Sequence, residues 1–143
     1  MEAISTFIVR KTRNSRLAEI DFDNLGFGKY VSDHMLVSDY SHGEWDIPQL
    51  VPFSNLSLSP ASLALHYGQT VFEGMKAFYM ADGRINIFRI DRHYDRFVKS
   101  LERMCMAVPS RETFIESLTR LVEIDRDWVP KQPGASLYLR PFM

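Results

Sequence analysis

The sequence predicts an α+β domain, an antiparallel β-sheet with two helices packed on it. Three observations predict it. Short β-branched and aromatic runs bounded by glycine or proline fill the first part of the chain. Two longer segments then repeat apolar residues every three or four positions, the period of an amphipathic helix. Finally SLYLRPF, residues 136–142, returns to the alternation of a strand, with Leu137 and Leu139 facing one way and Tyr138 and Arg140 the other. Strands, paired helices and a closing strand form the layers of such a domain.

Taken in order, residues 7–9 are β-rich, and YVSDHMLV at 30–37 alternates as a half-buried strand. Gly43 and Pro48 bracket a turn. LVPF and NLSL, on either side of Ser54, read as short strands that Pro52 and Pro60 confine to edges or ends, because proline cannot donate to a ladder. Ala61 to His66 is a short helix that Gly68 ends. MKAFYM and RINIFRI form a hairpin around Ala81, Asp82 and Gly83.

The clearest helix carries Tyr94, Phe97, Val98, Leu101, Met104 and Cys105 on one face, with Asp91 as its N-cap. Pro109 ends that segment. Ser110 caps a second helix with the stripe Phe114, Ile115, Leu118, Leu121, Val122 and Trp128, which Pro130 stops.

With 143 residues, 45% hydrophobic and 24% charged, the chain has the composition of one soluble globular domain, assigned here to 1–143. A net charge of -1 supplies no basic field for nucleic acid. Cys105 is the sole cysteine and no Cys/His cluster has zinc spacing, so the expectation is a reducing compartment and no metal. No run approaches the roughly 20 apolar residues that span a bilayer. The opening residues mix charge with apolar positions, unlike a signal peptide. A cytoplasmic protein without a membrane partner is the expectation. Arg10, Lys11, Arg13 and Arg16 read as a solvated edge or loop.

Several residues carry chemical potential. Arg96 shares a helix side with Arg92, Lys99 and Arg103; it is either part of a solvated face, beside an Asp95–Lys99 pair, or a phosphate clamp, since a guanidinium offers forked donors. Tyr138 and Arg140 place a phenol beside a guanidinium about 6.5 to 7 Å apart along a strand. Gly74 marks a backbone bend or a close approach. Tyr67 and Phe72 are candidate core aromatics, Glu73 a candidate general base and Lys76 a candidate Schiff-base lysine, each with a structural alternative.

Together, VSDHMLV, PFSNLSLSPASLALHYGQTVFEGMKAF, DRHYDRFVKSL, EIDRDWVP and SLYLRPF resemble the branched-chain aminotransferases, a family of fold type IV transaminases dependent on pyridoxal 5'-phosphate. The resemblance covers residues 25–143 and is that of the N-terminal small domain. It implies that Arg96 binds the cofactor phosphate, and that Phe27, Phe72 and Tyr138 wall the pocket for a branched side chain. Gly74 would let the backbone close in, Tyr67 would reach into a partner's site in a homodimer, and Arg140 would assist a dicarboxylic substrate. The cofactor-bearing lysine would belong to a C-terminal domain; none of Lys11, Lys29, Lys76, Lys99 and Lys131 matches it, so this chain carries no catalytic residue. Amino acids and 2-oxo acids are the implied substrates, in transfer from leucine, isoleucine or valine to 2-oxoglutarate. A D-amino acid transaminase, an aminodeoxychorismate lyase, and a non-catalytic binding or dimerisation module are the alternatives.

Overall fold

The computed structural model describes residues 6–143; the first five positions of the 1–143 domain assignment lie outside the described residues. Its strands are β1 (Ile8–Val9), β2 (His34–Val37), β3 (Tyr40–Ser41), β4 (Glu44–Trp45), β5 (Gln49–Pro52), β6 (Met75–Tyr79), β7 (Ile85–Ile87) and β8 (Leu137–Leu139). Its helices are α1 (Leu63–Tyr67), α2 (Ile90–Arg103) and α3 (Arg111–Ile124), with 3-10 turns at Leu17–Glu19 and Arg126–Trp128.

The α+β reading holds, but the strands divide into separate sheets. β5 lies between β1 and β2, parallel to the first and antiparallel to the second. Pro52 is therefore the last residue of a central strand: on the β1 side the bonds run as far as Arg10 N–H to the Leu50 carbonyl at 2.8 Å, and the proline, which has no N–H, ends that ladder. β3 and β4 form a hairpin of their own. β6 is the centre of an antiparallel sheet, flanked by β7 and β8.

This last sheet bears the core. Met75 and Ala77 of β6 and Leu139 of β8 are buried against Tyr94, Phe97 and Leu101 of α2 and Phe114, Leu118 and Val122 of α3. The β6–β8 ladder continues beyond the named strands: Glu73 N–H donates to the Pro141 carbonyl at 2.8 Å, and Val71 and Met143 exchange two bonds of 2.8 Å. Along this extended strand Val71, Glu73, Met75 and Ala77 alternate into the interior, while Phe72 and Lys76 are exposed.

Several expectations need correction. The strand foreseen over 30–37 begins only at His34, and NLSL forms no strand. The turn between Gly43 and Pro48 contains β4, and the reversal falls on His42 and Gly43, both at positive φ (53 and 88°). Arg89, not Asp91, occupies the N-cap of α2, at φ 53°, while Asp91 receives the Arg111 guanidinium at 3.2 Å. α2 ends at Arg103, so Cys105 leaves the buried stripe and is exposed in the turn that follows, at φ 55°. Ser110 does cap α3, accepting from Thr113 N–H at 3.1 Å, and α3 ends before Trp128, which is buried in the 3-10 turn.

Candidate functional site

The polar centre of the sheet is Glu73. Strand alternation sends its carboxylate inward, where its side chain is 4% exposed, and α2 brings His93 and Arg96, one helical turn apart, over it. Arg96 donates Nε–H to one carboxylate oxygen at 2.7 Å and an Nη2–H to the other. Gly74 N–H donates to Glu73 Oε1 at 2.7 Å, and His93 Nδ1 lies 3.2 Å from the same oxygen. Burial alone would raise the Glu73 pKa, but the Arg96, Gly74 and His93 hydrogen bonds and the Arg96 charge hold it down to about 2. At neutral pH Glu73 is a saturated anion, which rules it out as the general base considered from sequence.

The Arg96 side chain is itself 66% exposed, so its remaining N–H groups are open to solvent. They meet a hollow of about 460 Å³ lined by Phe72, Glu73, Gly74, Arg96, Ser100 and Tyr138. Among the described residues β7 pairs with Ala77–Tyr79 alone, and the hollow opens between α2 and the earlier part of the same strand.

Gly74 is required here for a steric reason. A Cβ on it would sit 2.1 Å from the Tyr138 hydroxyl and 2.8 Å from its Cζ, so the close approach is to the phenol ring. Tyr138 in turn accepts from the Arg140 guanidinium at 3.3 Å, and that guanidinium lies 4.8 Å over the Phe72 ring. Phe27 meets Tyr138 edge-on at 5.2 Å between centroids while remaining 82% exposed.

Thus Phe72, Gly74, Arg96 and Tyr138 share one hollow, and Arg140 and Phe27 join through Tyr138. Tyr67 lies outside its lining, at the end of α1 and 81% exposed. Neither Tyr67 nor Phe72 belongs to the core. The Asp95–Lys99 pair gives way to Arg111, which bridges Asp95 and Asp91. Sequence reasoning missed His93, Ser100 and the anchoring role of Glu73. For Glu73 the signal was present: a carboxylate at a core position of a period-two strand needs a buried partner.

No family model matches the chain. It is 48% identical over 124 residues to branched-chain-amino-acid transaminase 1 of Bacillus subtilis, covering 86% of this chain and 35% of that protein. It is 44% identical over 132 residues to a probable branched-chain-amino-acid aminotransferase of Staphylococcus epidermidis, covering 92% and 37%. The corresponding protein of Dictyostelium discoideum is 39% identical over 139 residues, covering 96% and 37%. The chain is homologous to the N-terminal part of branched-chain-amino-acid aminotransferases. It spans about a third of the length of these curated relatives (35% to 37%). Among the described residues no helix is long and apolar enough to cross a membrane.

Proposed function

We propose that this chain is the small N-terminal domain of a pyridoxal 5'-phosphate-dependent transaminase that moves the amino group of leucine, isoleucine or valine to 2-oxoglutarate, as a cytoplasmic homodimer. The observation that carries this reading is Arg96, forked by a buried carboxylate yet open to a hollow walled by Phe72, Gly74 and Tyr138.

The residues fit the phosphate of that cofactor, for which a guanidinium with free N–H groups is a matched donor. No lysine lines the hollow, so the group that holds the cofactor covalently would come from outside this segment. When bound, pyridoxal phosphate supplies an electron sink for the carbanion at the amino acid α-carbon. Arg96 holds the phosphate, and Phe27, Phe72 and Tyr138 exclude water from an apolar side chain. Gly74 lets the Tyr138 ring close against the strand, and Arg140 neutralises the second carboxylate of a dicarboxylic substrate. Tyr67, together with the exposed Leu63 and Leu65 on α1, is suited to meet a second copy of the protein and reach its hollow.

The test is turnover by a full-length protein that begins with this segment. Leucine with 2-oxoglutarate should be consumed far faster than D-alanine, and the reverse ranking would place the protein with the D-amino acid enzymes. With the 143-residue chain alone, pyridoxal phosphate and borohydride should label no lysine stoichiometrically; full labelling of one lysine would contradict the division of labour.

A further inference from the structure

We propose that Glu73 is a positioning residue that fixes the Arg96 guanidinium in its anion-binding orientation and ties that orientation to the backbone at Gly74. The proposal rests on the reading of Arg96 as a phosphate donor.

Three N–H donors converge on this one buried carboxylate, Arg96 Nε, Arg96 Nη2 and Gly74 N, and His93 Nδ1 lies 3.2 Å from Oε1. A lone exposed arginine samples many rotamers and gives up that freedom on binding a ligand. Arg96 has given it up on folding, because two of its N–H groups are committed to an acceptor that the strand holds rigidly. The uncommitted N–H groups are thereby aimed away from Glu73. Oε1 also takes the Gly74 amide, so the seat of the anion and the stretch of strand that packs against Tyr138 share a single oxygen.

Charge and positioning make opposite claims, which lets them be separated. The negative charge of Glu73 opposes an incoming anion, so if charge alone mattered, Glu73→Asp, which keeps the charge and shortens the reach, would bind phosphate like the native chain. If position matters, the shortened carboxylate cannot hold the fork, and affinity falls.

The experiment is nuclear magnetic resonance of the 143-residue chain with inorganic phosphate, following Arg96 Nε–H and Gly74 N–H. In the native chain the Arg96 Nε–H should exchange with water at least about tenfold more slowly than that of Arg92, whose side chain is 74% exposed. Phosphate should shift Arg96 and Gly74 with one common midpoint. Glu73→Asp should bring the exchange rate towards that of Arg92 and weaken phosphate roughly fivefold, with the two shifts uncoupled. Phosphate binding accompanied by fast Arg96 exchange in the native chain, or unchanged affinity in a folded Glu73→Asp, would overturn the role of Glu73 alone. Slow exchange with no response of Arg96 to phosphate would instead overturn the anion seat and the proposal that rests on it. Should Glu73→Asp fail to fold, the native exchange comparison and the common midpoint decide.

Discussion

Among the described residues two networks are built on buried carboxylates, and they end differently. In the first, Asp125 accepts His34 N–H at 2.9 Å and His34 Nδ1–H at 2.6 Å, while His34 Nε2 accepts Thr12 N–H at 3.0 Å. Because a backbone amide can only donate, the ring proton sits on Nδ1. Asp33 accepts from Ser15 Oγ, from Arg16 N–H at 2.9 Å and from Trp128 Nε1 at 3.1 Å. Together these bonds staple residues 12–16, distant in sequence, to β2 and the Arg126–Trp128 turn, with the half-exposed Arg16 guanidinium 3.9 Å from Asp33. In the second network Glu73 is just as buried, yet its main partner is an arginine in contact with solvent and a hollow. Burial of a carboxylate and a solvent-exposed arginine beside it are common to both; only in the second does that arginine fork the carboxylate and also line a hollow.

The largest effect that would sharpen this contrast comes from the staple. Asp125→Ala strands two buried donors of His34 and should lower the unfolding free energy by about 3 kcal/mol in denaturant titration. The response of Arg96 to phosphate, in the molecules that remain folded, should be unchanged. A loss at the hollow would show that the networks are not separate.

Acid gives the next effect. Glu73 has a folded-state pKa of about 2 against an ordinary 4.5, so its contribution is fully present above pH 4.5 and is lost as pH falls towards 2. A difference of that size converts to about 3 kcal/mol before solvent screening at the exposed Arg96 reduces it, and roughly 2 kcal/mol is expected. Asp33 is also held below the usual carboxylate range: burial would raise it, but the Arg16 backbone, Ser15 and Trp128 bonds outweigh burial. Subtracting the profile of Glu73→Gln from that of the native chain isolates the hollow. Parallel profiles across this window would break the assignment.

Gly74→Ala should cost about 1 to 2 kcal/mol, the usual penalty of an extra group in a packed place. Its Cβ would overlap Tyr138. Combining it with Tyr138→Ala should recover much of that loss in thermal unfolding, and simple additivity would mean that the glycine answers to something else.

How much of this was legible follows from the range of the forces. α2, α3 and the β6–β7 hairpin write their period into the sequence, because each buries one face against a single core. The β3–β4 hairpin was missed although His42 and Gly43, between residues that pair as Tyr40 with Trp45, supply its two-residue turn. Asp91 was misjudged as a cap because α2 begins one residue earlier, at Ile90, so Asp91 already has helical backbone and its carboxylate is left to Arg111. The convergence of Phe72, Gly74, Arg96 and Tyr138 could be proposed only through family resemblance, since no local pattern brings α2 and β8 to one strand. Glu73 was visible as an oddity of alternation, but its partner was not.

The most direct test of the central claim is to titrate the 143-residue chain with pyridoxine 5'-phosphate, which lacks the aldehyde that reacts with lysines, and with pyridoxine, mapping amide shifts. The account predicts shifts at residues 72–74, 93–100 and 138–140 with the phosphorylated compound, far weaker ones with pyridoxine, and none at 12–16, 33–34 or 125–128. Equal responses to the two compounds, or shifts centred on the His34 staple, would contradict it.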